Sequence, residues 1–230
     1  MVRSSSVWLS GIHRFPPGGG RAVALRAAYE RHRSRSDLNW RQGLSVLRTD
    51  AVSLRELKAA DAPALLQHVS SLSVRRYIAP PPRTVDDFKR FISRTLVERR
   101  RGTQLSFAIV PEGQSGPVGL VQVWAIEPDF STAEWGFVLG ESMWGTGLFG
   151  ASARLLLDFA FTRLGVMRLE MRIVEANVRG NEAMKKLGAI REGTLRSGFR
   201  SGDTFMDHAM WSILADEWRA RRARSHDTTV

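Results

Sequence analysis

Ala133–Leu164 reads AEWGFVLGESMWGTGLFGASARLLLDFAFTRL, and the reading of this stretch decides the fold. Trp135–Leu139 is an apolar, strand-like run. A short turn follows, Gly140–Met143. Then come Gly145, Gly147 and Gly150, and the apolar periodicity predicts a long helix over Phe149–Leu164. Strand, glycine turn and helix start is an arrangement suited to phosphate. Glycine lets the backbone turn tightly and approach a ligand, and the free N–H groups of a helix N-terminus point at an anion. Glycines serving a tight turn alone are the alternative. Three of them ahead of a strong helix favour the phosphate reading.

Gly145-Thr-Gly147-Leu-Phe-Gly150 also matches G-x-G-x-x-G, the dinucleotide fingerprint. Context argues against it. Glu141–Trp144 separate the strand from the first glycine. The preceding strands read as an antiparallel meander, not a βαβ series. No acidic residue closes the following strand, since Glu170 lies inside it.

Upstream, Val52–Leu57 alternates as a strand does. Asp61 stands where a helix N-cap belongs, with Pro63 in the first turn of a helix reaching Val69. Pro80–Pro82 break the chain. Thr84 starts a second helix, with Asp87 completing a variant capping box, and Glu98–Gly102 ends it in arginines and glycine. Leu105–Val110 and Val118–Trp124 flank PEGQSGP and read as a hairpin, which Ala133–Leu139 extends. Downstream lie a strand over Met167–Val174 and a helix over Gly180–Leu187 closed by Gly188. Two last strands, Ala189–Leu195 and Phe205–Ile213, surround the polar turn RSGFRSGD. The expected fold is α/β (α+β): a mixed, mostly antiparallel seven-stranded sheet flanked by about four helices.

The chain has 230 residues, enough for one domain plus an extension. Residues 1–45 are expected to form a basic, flexible or loosely docked extension, 46–218 the domain, and 219–230 a frayed basic tail. Zero cysteines exclude disulfides, thiolate metal sites and a cysteine nucleophile. The five histidines have no metal-ligand spacing, so no metal is expected. No apolar run approaches the roughly 20 residues of a membrane span, and no signal-peptide core is present, so a cytoplasmic location is expected. Of the net charge of +11, much sits in residues 1–50, where nine arginines face three acids. That distribution argues for a solvated surface and against a nucleic-acid partner. Neither G-x-S-x-G nor the P-loop motif occurs, so hydrolase and P-loop readings lack their key residues.

Four ordered segments then carry a resemblance: LRELKAADAPALL, AEWGFVL with WGTGLFGASARLLLDFAF, NVRGNEAMKKLGAIREGTLR, and DHAMWSILADEW. Together they resemble the GNAT superfamily of N-acetyltransferases over about Val52–Trp218, most of all the branch of ribosomal-protein N-terminal acetyltransferases. The third segment is the most specific, with Asn177, Arg179, Lys186, Leu187, Gly188, Glu192 and Gly193 at family spacing. Departures exist. Trp144 stands where Gln or Arg is usual, Phe149 stands where a small residue is expected, and Gly180 replaces a common Ser. The tyrosine acid of some relatives falls on Met184.

The resemblance implies acetyl transfer from acetyl-CoA to a primary amine, such as a protein N-terminal α-amine. It leaves room for a homodimer. The implied cofactor residues are Phe137, Val138 and Leu139 along the pantetheine, Trp144, Gly145, Thr146, Gly147, Leu148, Phe149, Gly150 and Ala151 around the phosphates, and Asn177. Glu134 is the candidate base: it starts the strand and shares a face with Gly136 and Val138. An ordinary strand carboxylate is the equal alternative for Glu134, and a turn-capping Asn for Asn177. Substrate choice is expected from Leu65–Thr95 and the Phe199–Asp207 hairpin. The missing tyrosine and Phe149 also leave open a non-catalytic acyl-CoA-binding or RNA/ribosome-associated module.

Overall fold

The computed structural model describes residues 40–227. Most of the expected basic extension lies outside the described residues, as do residues 228–230. Eight strands form one sheet: β1 (Leu47–Arg48), β2 (Val52–Glu56), β3 (Gln104–Pro111), β4 (Gly119–Ala125), β5 (Thr132–Leu139), β6 (Arg168–Val174), β7 (Ile190–Ser201) and β8 (Thr204–Leu214). Their spatial order is β1-β2-β3-β4-β5-β6-β8-β7. All neighbours are antiparallel except β5 and β6. The expected count of seven is corrected by β1, whose two residues pair with Leu54 and Ser53. A strand that short leaves no alternation to read. The expected turn RSGFRSGD is corrected as well. β7 runs on to Ser201 through a bulge between Leu195 and Phe199, with Ser197 at φ 53 and its N–H donating to Asp207.

The helices are α1 (Ala62–Val69), α2 (Leu72–Arg75), α3 (Val85–Arg101), α4 (Leu148–Phe159), α5 (Val178–Leu187) and α6 (Ala215–Asp227). Two exceed the expectation. α2 is a single turn capped by Ser71, whose hydroxyl accepts from the Val74 N–H. α6 replaces the expected frayed tail. Its sequence has little apolar periodicity, yet Trp218 is buried and its indole N–H donates to Asp158 on α4, 2.8 Å away. Arg222 pairs with the same carboxylate.

Local signals explain most ends. Thr84 accepts from the Asp87 N–H at the start of α3, and Gly102 (φ 75) and Gly188 (φ 79) close α3 and α5 in the left-handed region. Asp61 stands at the N-cap of α1 as expected, but its side chain makes no cap bond there; its carboxylate takes two hydrogen bonds from Arg55 (2.8 and 2.7 Å) and one from the Lys58 N–H.

The sheet carries two apolar layers. Phe107, Val121, Val123 and Trp135 face α4, while Ala108, Leu120 and Val138 face α1 and α3. Packing begins before residue 46. The Trp40 ring meets Phe130 edge-on at 5.4 Å, and Arg99 donates to the Trp40 carbonyl.

One irregularity positions the site. β5 and β6 pair only over Thr132–Glu134 and Arg168–Glu170. Beyond Glu134, β5 stays with β4 to Leu139, and β6 stays with β8 to Val174. The sheet therefore opens as a wedge with Glu134 and Glu170 at its apex.

Candidate functional site

A cavity of about 760 Å³ occupies this wedge. Gly136–Leu139 of β5 form one wall, and Met171–Val174 of β6 the other. The glycine turn follows β5 after one 3-10 turn, Glu141–Met143, and lines the same cavity.

Gly145 (φ 79) and Gly147 (φ 84) both hold left-handed backbone, and a Cβ on either would meet nothing within 4 Å. The cradle is thus open, and side chains other than glycine are strained there. No protein acceptor takes the N–H of Gly145, Thr146 or Gly147 among the described residues. Thr146 pins the turn by donating to the Met143 carbonyl at 2.8 Å. The indole of Trp144 donates to the Leu139 carbonyl at 3.0 Å, and the Arg179 guanidinium lies 4.0 Å over its ring. Arg179 begins α5 on the β6 side, so this contact joins the two walls. Phe149 does not project over the turn. Its ring packs on Phe137, 4.1 Å between centroids, and stacks beyond on Trp135.

The edge of β5 offers donors. The Gly140 N–H donates to the carbonyl of Val118, the residue before β4. Antiparallel ladders alternate, so the amides of Phe137 and Leu139 point the other way, into the wedge.

Among the sequence-predicted residues, Phe137, Val138, Leu139, Trp144, Gly145, Gly147, Phe149, Gly150 and Asn177 line the cavity. Thr146, Leu148 and Ala151 do not: Leu148 is buried in the core, and Ala151 packs against it. Asn177 spends its Oδ1 on the Gly180 N–H, 3.0 Å away, as the cap of α5. The Met184 side chain is wholly buried and away from the cavity, so that position could not present an acid in this packing. The Phe199–Asp207 hairpin contributes no lining residue.

Glu134 lies behind the lining. It is 1% exposed, and neither carboxylate oxygen has a hydrogen-bond partner. Burial pushes it up to about 7; Arg172, with Nε 3.9 Å away, pulls it down, and Glu170 pushes it up. Glu192 has the opposite setting. Arg168 and Ser212 donate to it, and the Arg168 bond holds it down at about 2, a structural role. His208 is buried and pushed down to about 4.

Sequence reasoning did not single out Arg172, Arg154, Arg76 or Tyr77, all of which line the cavity. Arg172 carried a signal only in hindsight of register, because pairing of Glu134 with Glu170 sets Arg172 opposite Gly136. Among the described residues, no group of His, Cys, Asp or Glu is placed to hold a metal ion. No helix there is long and apolar enough to cross a membrane.

These parts suit a long, polyanionic, amide-bearing cosubstrate. Open glycine amides with Arg154, Arg179 and Lys186 suit phosphates, and the β5 edge suits an amide arm. The model of a GNAT acetyltransferase domain matches residues 52–190. The chain is 26% identical to p20 of Bacillus licheniformis, an N-acetyltransferase itself uncharacterized, over 76% of this chain and 99% of that one. It is 27% identical to the spermidine N(1)-acetyltransferase of Escherichia coli K12, over 78% and 95%. A solved structure from T. thermophilus, itself assigned rather than demonstrated as an acetyltransferase, is 29% identical. It superposes with a TM-score of 0.67 over 81% of this chain and 98% of its own. The chain belongs to the GNAT family and is an acetyl-CoA-dependent N-acetyltransferase.

Proposed function

We propose that the protein moves the acetyl group of acetyl-CoA to the α-amine of its acceptor, with Glu134 as the proton acceptor. The observation that carries this is the wedge. It has an anion cradle at the mouth, free strand amides along one wall, and a carboxylate of raised pKa at the apex.

Each residue has a task. The amides around Gly145–Gly147 and the α4 N-terminus receive the pyrophosphate. Arg154 and Arg179 add charge beside it. The amides of Phe137 and Leu139 hold the pantetheine arm and face the thioester oxygen, where charge grows during attack. The amine must lose a proton to attack. Gly136 carries no side chain, so a water can stand between the amine and Glu134. A base near the working pH is worth about 10²–10⁴ in rate, and Glu134 at about 7 is poised there. The departing thiolate takes its proton from solvent.

An α-amine is favoured over a polyamine by the lining. Its one carboxylate, Glu182, sits on α5 and is already paired with Lys185. Nothing else acidic there would receive a second ammonium group.

Calorimetric titration with acetyl-CoA and CoA tests the first half. Micromolar binding supports the reading, and no binding by folded protein overturns it. A thiol-release assay across amines tests the second half.

A further inference from the structure

The two layers of the sheet separate the jobs of the cavity. Glu134, Gly136 and Val138 share one face of β5, and Val138 packs in the α1/α3 layer. Glu170 pairs with Glu134, so Arg172, two residues on, looks to that same layer. Trp135 lies on the opposite face with α4, which carries the glycine turn and Arg154. Arg172 therefore lies on the other side of the sheet from the phosphate cradle. Arg76 and Tyr77 reach the cavity from the chain that follows α1 and α2, beside Ile78, which packs in the Arg172 layer.

The acceptor side is thus cationic. Arg76 and Arg172 line it, and no carboxylate does. Arg172 is the more constrained of the two. Its side chain is 12% exposed, its Nε has no hydrogen-bond partner, and its nearest carboxylate is Glu134 at 3.9 Å. That separation is beyond hydrogen-bond length. A guanidinium has five donors in a fork that matches a carboxylate. Leaving its buried Nε unpaired is unfavourable.

We propose that the acceptor is an α-amino acid with a free carboxylate, which Arg172 receives while the α-amine faces the thioester beside Gly136. The inference rests on the acetyl-transfer reading and names its substrate class. The amine and carboxylate of an α-amino acid sit on one carbon, as Glu134 and Arg172 sit side by side. In the step, the amine nitrogen bonds to the acetyl carbon and the carbon–sulfur bond breaks. Sulfur keeps the electron pair; of the two protons the nitrogen loses, the first passes through water to Glu134 before attack, and the second is released to the solvent that protonates the thiolate. A peptide N-terminus offers Arg172 an amide instead of a charge, and spermidine offers it a second cation.

The test is a thiol-release assay on the full chain with acetyl-CoA. The acceptors are the proteinogenic amino acids, their α-carboxamides, short peptides with free N-termini, and spermidine. At least one amino acid is expected to exceed its own carboxamide by about tenfold or more in kcat/KM, the discrimination of a lost charge-assisted pair. Arg172→Met should close that gap, and Arg172→Lys should keep part of it. Because Glu134 serves acid and amide alike, damage to the base alone would lower both and leave their ratio unchanged. An unchanged ratio in Arg172→Met overturns the proposal. So does equal or better turnover of carboxamides, peptides or spermidine. Binding and slow hydrolysis of acetyl-CoA with no amino acid accepted overturns it too, and leaves the acetyl-transfer reading standing. Failure to bind acetyl-CoA removes both.

Discussion

The Nε of Arg172 stands 3.9 Å from Oε2 of Glu134, close enough for attraction and too far for a hydrogen bond. Arg172 lines the cavity and Glu134 lies just behind it. The pair joins the two strands at the point where the sheet opens.

Glu134→Gln should lower kcat by about 10²–10⁴ while acetyl-CoA affinity stays within about twofold. The base acts only when deprotonated, so the wild-type rate should rise with pH and level off above about 7. Steady-state rates from pH 5 to 9 and calorimetry check both. A variant that keeps wild-type turnover removes Glu134 from the mechanism.

Stability should carry two opposed pH terms. Glu134 rises from 4.5 to about 7 on folding, so the native state binds the extra proton between those values and stability falls as pH rises through them. His208 drops from 6.5 to about 4, so the unfolded state binds the extra proton there and stability rises with pH over that window. Glu134→Gln deletes the first contribution. Urea unfolding of that variant should show stability climbing between pH 4.5 and 6.5 more steeply than in wild type.

Gly147→Asp should weaken acetyl-CoA binding at least about tenfold, because it puts a negative charge at an anion-binding helix start. The left-handed φ of 84 adds strain of about 1–2 kcal/mol. Gly147→Ala separates the effects. It carries the backbone strain without the charge, so the loss of affinity in Gly147→Asp beyond that of Gly147→Ala is the contribution of the charge.

Asn177 has both a cap and a place in the cavity wall. Asn177→Ala should lose about 1 kcal/mol of stability through the cap. Asn177→Asp retains an oxygen for the Gly180 N–H but sets a charge beside the cosubstrate. Its thermal midpoint should stay near wild type while acetyl-CoA affinity drops; an unchanged affinity would make Asn177 a cap alone.

Ala133–Leu164 determined the strand, the glycine turn and the following helix by itself, because each rests on local rules. An apolar run of strand length, glycines free to take positive φ, and 3.6-residue periodicity are all written within a few residues. The same holds for the Thr84 cap and the glycine ends at Gly102 and Gly188. What the sequence could not contain was register across the sheet. Residues far apart in the chain meet through the pairing of β5 with β6, and its early end at Glu134 opens the wedge. Arg172, Arg76 and Tyr77 join the site only through that geometry. Trp218 on the last helix is held by Asp158, 60 residues earlier in the chain. Asp61 keeps its N-cap position but makes no cap bond, because its carboxylate is taken by two charged hydrogen bonds from Arg55 on β2 and one from the Lys58 N–H. Local free energies decided the elements, and long-range pairing decided which side chains they bring together.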